Sequence, residues 1–194
     1  MTERNDAVGT KEGILKAAIR VLGEKGYSDL SMKDVAEASG FTKPTIYYYF
    51  RNKEGLLLAI VDHVNSLIEG FLERELLSDG PVSASLERIA AAMILAHRDN
   101  PDFARAHLAC HADSGVKALF PSMMGRFARI EELMSDLMKR GVERGEFRKD
   151  VPVQILCRTF TSILHMTLKD PSAGTATAPS AGEMVGILMR GIGR

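Results

Sequence analysis

Apolar side chains recur along most of this chain at intervals of three and four residues, the spacing of one face of an α-helix. Leu56, Leu57, Ile60, Val61, Val64, Leu67, Ile68, Phe71 and Leu72 predict a long amphipathic helix from Lys53 to about Leu77, stopped by Ser78, Asp79, Gly80 and Pro81. Leu86, Ile89, Ala90, Met93, Ile94 and Ala96 predict a second helix that ends at Asp99, Asn100 and Pro101, and Phe103, Ala106, Leu108 and Ala109 a shorter third. Met124, Phe127, Ile130, Leu133, Met134, Leu137, Met138 and Val142 trace another long stripe, closed at Gly145. Ile155, Leu156, Phe160, Ile163, Leu164 and Met166 belong to one further helix, and Met184, Val185, Ile187, Leu188 and Ile192 to the last. No segment alternates with period two, so no sheet is expected. The stretch Pro171–Ser180 is the one low-complexity run and reads as a mobile loop between the last two helices.

A different pattern occupies residues 31–56. Ala36 is small enough to let two short helices cross closely, and Gly40 can take the positive φ of a tight turn. Thr42 suits the N-cap of the helix that follows, and Pro44 suits its first turn, where a missing N–H costs nothing. Val35, Phe41, Ile46 and Phe50 supply a small core, leaving Lys43, Thr45, Tyr47 and Tyr48 for an outer face. This is the spacing of a helix-turn-helix, and the outer face has groove-reading chemistry. Lysine reaches a guanine edge or a phosphate, threonine offers a hydroxyl or a methyl, and tyrosine hydroxyls donate to phosphate oxygens. Arg51 and Lys53 follow with no acid before Glu54, giving a local positive lobe on a chain of zero formal net charge.

Composition narrows the class. The 194 residues, 45% of them hydrophobic, are enough for one good core or two modest ones and exclude a disordered tail. No uninterrupted apolar run approaches the roughly 20 residues that span a bilayer, and the first residues lack the basic start and apolar centre of a signal peptide. A cytoplasmic location and no membrane partner are therefore expected. Cys110 and Cys157 have no CxxC spacing and read as small buried hydrophobes.

The run Gly40, Phe41, Thr42, Lys43, Pro44, Thr45, Ile46, Tyr47, Tyr48, Tyr49, Phe50, Arg51, Asn52, Lys53 and Glu54, with Leu56 after it, resembles the DNA-binding signature of the TetR family of bacterial transcriptional regulators. Ile14, Leu15, Ala17, Ala18, Val21 and Leu22, followed by Lys25, Gly26 and Tyr27, are similar to that family's first helix and its exit turn. The phrase Arg144–Gly145–Glu146–Phe147–Arg148 also resembles a connection late in such chains. The resemblance is specific from about Thr10 to Leu57 and weak beyond. It implies an all-α protein: a three-helix DNA-binding domain over residues 1–52 and a helical effector-binding and dimerisation domain over 53–194. It also implies phosphate contacts from Tyr47 and Lys53, and Lys43, Pro44, Thr45 and Tyr48 at or near base edges, with Thr42 at the head of the same helix. Met32 and Lys33 match positions that often face DNA in the family. Tyr49 stands where many relatives have histidine and Pro44 where many have glycine, which leaves the operator sequence open.

Two further sites are expected. The last two helices are apolar over much of their circumference, and Gly182, Gly186 and Gly191 allow close approach, so Leu156, Phe160, Ile163, Leu164, Met184, Ile187 and Leu188 are candidates for a dimer interface; the alternative is that they complete the chain's own core. A two-fold dimer doubles the contacts on a palindromic operator in double-stranded DNA, and the family resemblance implies the same four-helix interface. The middle helices carry a methionine-rich apolar set that by itself reads as core. The resemblance implies instead that an effector binds among them, and a hydrophobic or aromatic small molecule would suit Met93, Phe103, Phe120, Met124 and Phe127, with His97, His107 and His111 as polar anchors. His107 and His111 stand four apart with Cys110 and Asp113 beside them, but no third ligand is placed by the sequence, so no metal site is assigned and no cofactor is expected.

Enzyme motifs are missing: there is no glycine-rich phosphate loop, no GxSxG elbow and no HExxH. The expected function is a ligand-responsive DNA-binding regulator, a homodimeric repressor released from its operator by a small hydrophobic effector. The competing readings are a helical small-molecule-binding module and a transcriptional activator.

Overall fold

The computed structural model describes residues 2–112, 116, 119–170 and 179–192, and the side chains of these apart from 2–8, 108–112, 120, 122 and 192. The described residues are helical almost throughout and include no strand. The helices are α1 (Thr2–Asp29), α2 (Met32–Ser39), α3 (Lys43–Phe50), α4 (Lys53–Leu76), α5 (Val82–Asp99), α6 (Pro101–Ala112), α7 (Phe120–Glu143), α8 (Val153–Lys169) and α9 (Ala181–Ile192). Helix α1 is broken near its end by Gly26 at φ 75°, so its last residues form the exit turn. The loop expected at Pro171–Ser180 lies outside the described residues as far as position 178.

The chain packs as two compact units. The first comprises residues 1–64 and 100–126, the second residues 65–99 and 127–194. The division expected at residue 52 follows the end of the recognition motif, whereas packing carries the first turns of α4 and all of α6 into the first unit.

In the first unit, α1 packs along α6 and against α2, and α2 packs against α3. Ile14, Ala18, Leu22, Val35, Ile46 and Leu56 are buried to 0% exposure and form its centre. In the second unit, Leu86, Leu137, Met138, Phe147, Leu156 and Phe160 anchor one continuous core. Helix α9 there packs on α5 and α8.

Helix α4 is long and apolar enough to cross a membrane by length and composition. Its apolar residues have other neighbours: Leu56, Leu57, Ile60 and Val61 are buried in the first unit, and Leu72 in the second. Asp62 and Glu73 interrupt its surface, each in an ion pair, with Arg126 and Arg129 respectively.

The end of α4 and the start of α5 are held from α7. The Arg140 guanidinium donates to the carbonyls of Leu76, Ser78 (3.1 Å) and Glu75 (3.1 Å), and Arg144 donates to those of Asp79 (3.3 Å) and Gly80 (2.8 Å). The Glu146 carboxylate accepts from the backbone N–H groups of Val82 (3.0 Å) and Ser83 (3.2 Å) at the positive end of α5. Side chains more than 60 residues away thus satisfy groups that a local cap would otherwise serve.

Candidate nucleic-acid interface

Helix α2 starts at a capping box. The Ser31 hydroxyl accepts from the Asp34 N–H at 3.1 Å, and the Asp34 carboxylate accepts from the Ser31 N–H at 3.1 Å and its hydroxyl at 2.6 Å. Lys25, from α1, donates to the same carboxylate at 2.7 Å. Lys25 first, then Ser31, hold the Asp34 pKa down to about 2. One acid therefore caps α2 and ties it to α1. Gly40, at φ 74° and ψ 3°, closes α2 with its N–H donating to the Ala36 carbonyl, a left-handed geometry that favours glycine.

Helix α3 begins on Thr42, whose hydroxyl accepts from the Thr45 N–H at 3.4 Å and bonds the Thr45 hydroxyl at 2.8 Å. Pro44 lies in the first turn, and Ile46 and Phe50 are buried beneath the helix. The opposite side is open: Lys43 and Pro44 are exposed, Tyr47 is 48% exposed and Tyr48 82%. Tyr48 meets Tyr49 edge to face, with ring centroids 5.2 Å apart. A helix that buries two side chains and displays two tyrosines and a lysine offers hydroxyl and ammonium donors in one row.

The corner after α3 is compact. Asn52 caps α4 by accepting from the Gly55 N–H at 2.7 Å, and a Cβ on Gly55 would lie 2.2 Å from the Phe50 carbonyl oxygen. Lys53 reaches back to α1, donating to the Ser28 carbonyl at 2.9 Å and lying 4.5 Å from the centre of the Tyr27 ring. Its ammonium has further donors, but one is spent on fixing α4 to the end of α1.

The expected DNA-facing residues divide accordingly. Lys33, Thr42, Lys43, Pro44, Tyr47 and Tyr48 are exposed, Lys33 in a loose 3.6 Å pair with Glu37, while Thr45 and Lys53 are half-buried. Met32 departs from the expectation: it is 7% exposed, a core residue beneath the start of α2. Its neighbour Lys33 takes the outer position because successive helical residues point about 100° apart.

The expected dimer residues need a larger correction. Leu156, Phe160, Leu164, Met184 and Leu188 are buried within the second unit's own core, and Ile163 packs partly against it. Of that set Ile187 alone is exposed, at 58%. The outward apolar residues of these helices are Ile155, Met166 and Ile187. Helix α8 is amphipathic, and the apolar stripe that periodicity finds on it is the one turned into the unit's own core.

The expected pocket residues are distributed over both units, Phe103, His107 and Met124 in the first and Met93, His97 and Phe127 in the second. His107 stacks on Phe103 with the rings 13° from parallel. His97 is buried, its Nδ1 2.9 Å from the Met93 carbonyl, and burial lowers its pKa below the usual imidazole range. Met124 is 61% exposed. The side chains of His111 and Phe120 lie outside the described residues, as does that of Cys110. Cys157 is half-buried and unbridged, its thiol pKa raised by burial. Two open clefts of about 350 and 410 Å³ occur within the first unit, one lined by Lys16, Arg20 and Ser39, the other by Lys11, Asp62 and His63, and neither includes an expected pocket residue.

Comparison with known proteins agrees with this geometry. Residues 14–60 match the model of the bacterial regulatory proteins, tetR family. The HTH-type transcriptional repressor KstR2 of Rhodococcus jostii is 24% identical over 200 residues, which cover 95% of this chain and 91% of that one. Among solved structures, the transcriptional regulator FadR of Bacillus subtilis, in complex with stearoyl-CoA, superposes with a TM-score of 0.79 at 16% identity over 93% of this chain and 96% of that one. A TetR family transcription regulator from Marinobacter aquaeolei does so with 0.75 at 19% identity over 100% and 99%. The chain thus resembles regulators of the TetR family nearly from end to end, and residues 14–60 match that family's own model.

Proposed function

We propose that the protein is a ligand-responsive transcriptional repressor that binds a palindromic operator in double-stranded DNA as a homodimer and leaves it when a small hydrophobic effector binds. The observation that carries the reading is α3: an eight-residue helix fixed by Ile46 and Phe50 that turns Lys43, Pro44, Tyr47 and Tyr48 to solvent. In this reading α3 enters the major groove, Lys43, Pro44, Thr45 and Tyr48 meet base edges, and Thr42, Tyr47, Lys53 and Lys33 meet phosphates. Such a regulator works in the cytoplasm, with residues 1–52 as its reading domain and 53–194 as its effector and dimerisation domain.

The dimer would form through the outward faces of α8 and α9, using Ile155, Met166 and Ile187 rather than the residues already consumed by the core. The effector would bind within the helical region that follows residue 52. Acyl-CoA thioesters are the first compounds to test, because FadR of Bacillus subtilis was solved with stearoyl-CoA.

The test is binding to the DNA upstream of the gene, by fluorescence anisotropy, with and without an acyl-CoA. Anisotropy that rises with protein and falls again when the thioester is added supports operator binding and its release by effector, and absence of any sequence-preferring binding rejects the scheme. Lys43→Ala should cost about 1–3 kcal/mol and relax base preference at one position if it reads guanine. An unchanged consensus in a binding-site selection would remove Lys43 from the readout.

A further inference from the structure

Four described residues have a positive φ: Gly26, Gly40, Gly145 and Arg51. Arg51 is the exception among three glycines. It stands directly after α3 at φ 60° and ψ −50°, and across it the Asn52 N–H donates to the Phe50 carbonyl at 2.6 Å. This is a γ-turn of the rare, strained hand, a geometry that glycine enters without penalty.

The corner is determined from both sides. The Arg51 N–H closes α3 on the Tyr47 carbonyl at 2.9 Å, Asn52 caps α4, and Gly55 lets the two backbones meet. Whatever residue occupies position 51 must take this conformation, so the presence of arginine calls for a use of its side chain. Strain retained at an exposed corner is a recurrent mark of function.

The side chain is exposed, and no ion pair or side-chain hydrogen bond holds it among the described residues. Four other cations of the first unit already have a protein partner: Lys53 has Ser28, Lys25 has Asp34, Arg20 has the Ala38 carbonyl, and Lys33 has Glu37 in a loose pair. Lys43 and Arg51 therefore stand as uncommitted cations at the two ends of α3. Eight helical residues span about 12 Å, which is about the width of the major groove.

We propose that Arg51 is an additional phosphate-binding residue, gripping the DNA backbone at the opposite end of the recognition helix from Lys43. The proposal rests on the DNA-binding reading above. A guanidinium gives two parallel donors to one phosphate, which suits a contact whose backbone is already immobilised.

The experiment measures Kd for a fluorescein-labelled mixed-sequence duplex over a series of KCl concentrations, for the wild type, Arg51→Gly, Arg51→Gln and Arg51→Lys. Arg51→Gly and Arg51→Gln should each reduce the slope of log K against log [KCl] by about 0.9 and weaken low-salt binding several-fold, while Arg51→Lys keeps the slope. Arg51→Gly, freed of the strain, should melt no lower than the wild type. A wild-type slope in both Arg51→Gly and Arg51→Gln overturns the proposal. So does a lower melting temperature for Arg51→Gly with a wild-type slope for Arg51→Gln, which would make the arginine a structural residue. Failure of the wild type itself to bind any duplex would instead reject the DNA-binding reading before any variant is compared.

Discussion

Helix α3 and the pair α8–α9 handle apolar residues in opposite ways. Helix α3 buries Ile46 and Phe50 and exposes aromatics that carry a hydroxyl, Tyr47 and Tyr48. Helix α8 buries Leu156, Phe160, Leu164 and Leu168, yet leaves Ile155 49% and Met166 75% exposed, and α9 likewise buries Leu188 beside an exposed Ile187. A tyrosine at the surface keeps its phenol solvated and available to a polar partner. An exposed isoleucine or methionine gains nothing from water, and the proposed dimer would cover those of α8 and α9. Under the proposed function the first region would meet a polar polymer and the second its own kind.

The sharpest way to break this contrast is to separate the two faces of α8. Leu156→Ala, in the core, should cost about 2–5 kcal/mol through lost burial and the cavity left behind, seen as an early denaturant midpoint. Ile155→Glu combined with Met166→Glu should leave the helical content intact and shift sedimentation to a 21.2 kDa species. An unchanged oligomer in that double variant would show that this face is not the one covered.

A smaller effect is expected where the second unit relies on charge. Glu75 is buried and accepts from Arg88 at 3.0 and 2.6 Å, and Arg88, ahead of the opposing effect of burial, lowers its pKa. Arg88→Ala should cost about 1–2 kcal/mol, less than a fully buried pair because the guanidinium is half-exposed. Glu75→Gln with Arg88→Ala should recover part of that loss, and a double variant as unstable as the worse single one would mean that packing and not charge is responsible.

The same contrast explains what was legible in the sequence. Signals confined to a few neighbouring residues were readable: the Gly40 turn, the Thr42 cap, Pro44 in the first turn and the span of α4 all follow from local spacing. So did the burial of Ile46 and Phe50. What depended on distant partners was not. The clamp formed by Arg140, Arg144 and Glu146 joins positions more than 60 residues apart, and Lys53 is tethered to Ser28 across 25. Met32 stands three residues before the core residue Val35, a spacing that puts both on one buried face; the family resemblance, not the periodicity, turns it toward DNA. In α8 and α9 the regular apolar stripe, expected at the interface, is the one taken by the core, and of the isolated Ile155, Met166 and Ile187 outside it only Ile187 is among the expected residues.

Within the reading head the next test is the cap of α2, which has a counterpart at α9, where Ser180 and Glu183 exchange the same bonds. Ser31→Ala removes the hydroxyl that accepts from the Asp34 N–H and should cost about 1 kcal/mol.

The least costly perturbation is pH. Asp34 has a folded pKa of about 2 against an ordinary 3.8, held down by Lys25 and Ser31. A depressed carboxylate stabilises the fold in full above the unfolded value, and that contribution fades as pH falls from about 3.8 through about 2. Stability measured by urea unfolding should therefore decline over this window in the wild type, and the decline should be shallower in Asp34→Asn, which gives up the contribution at every pH. Equal slopes in the two proteins would show that the carboxylate does not carry the link from α1 to α2. Because Asp34 joins the helix that supports α3 to the helix that runs beside α6, the acid limb also reports how firmly the reading head is seated in its own unit.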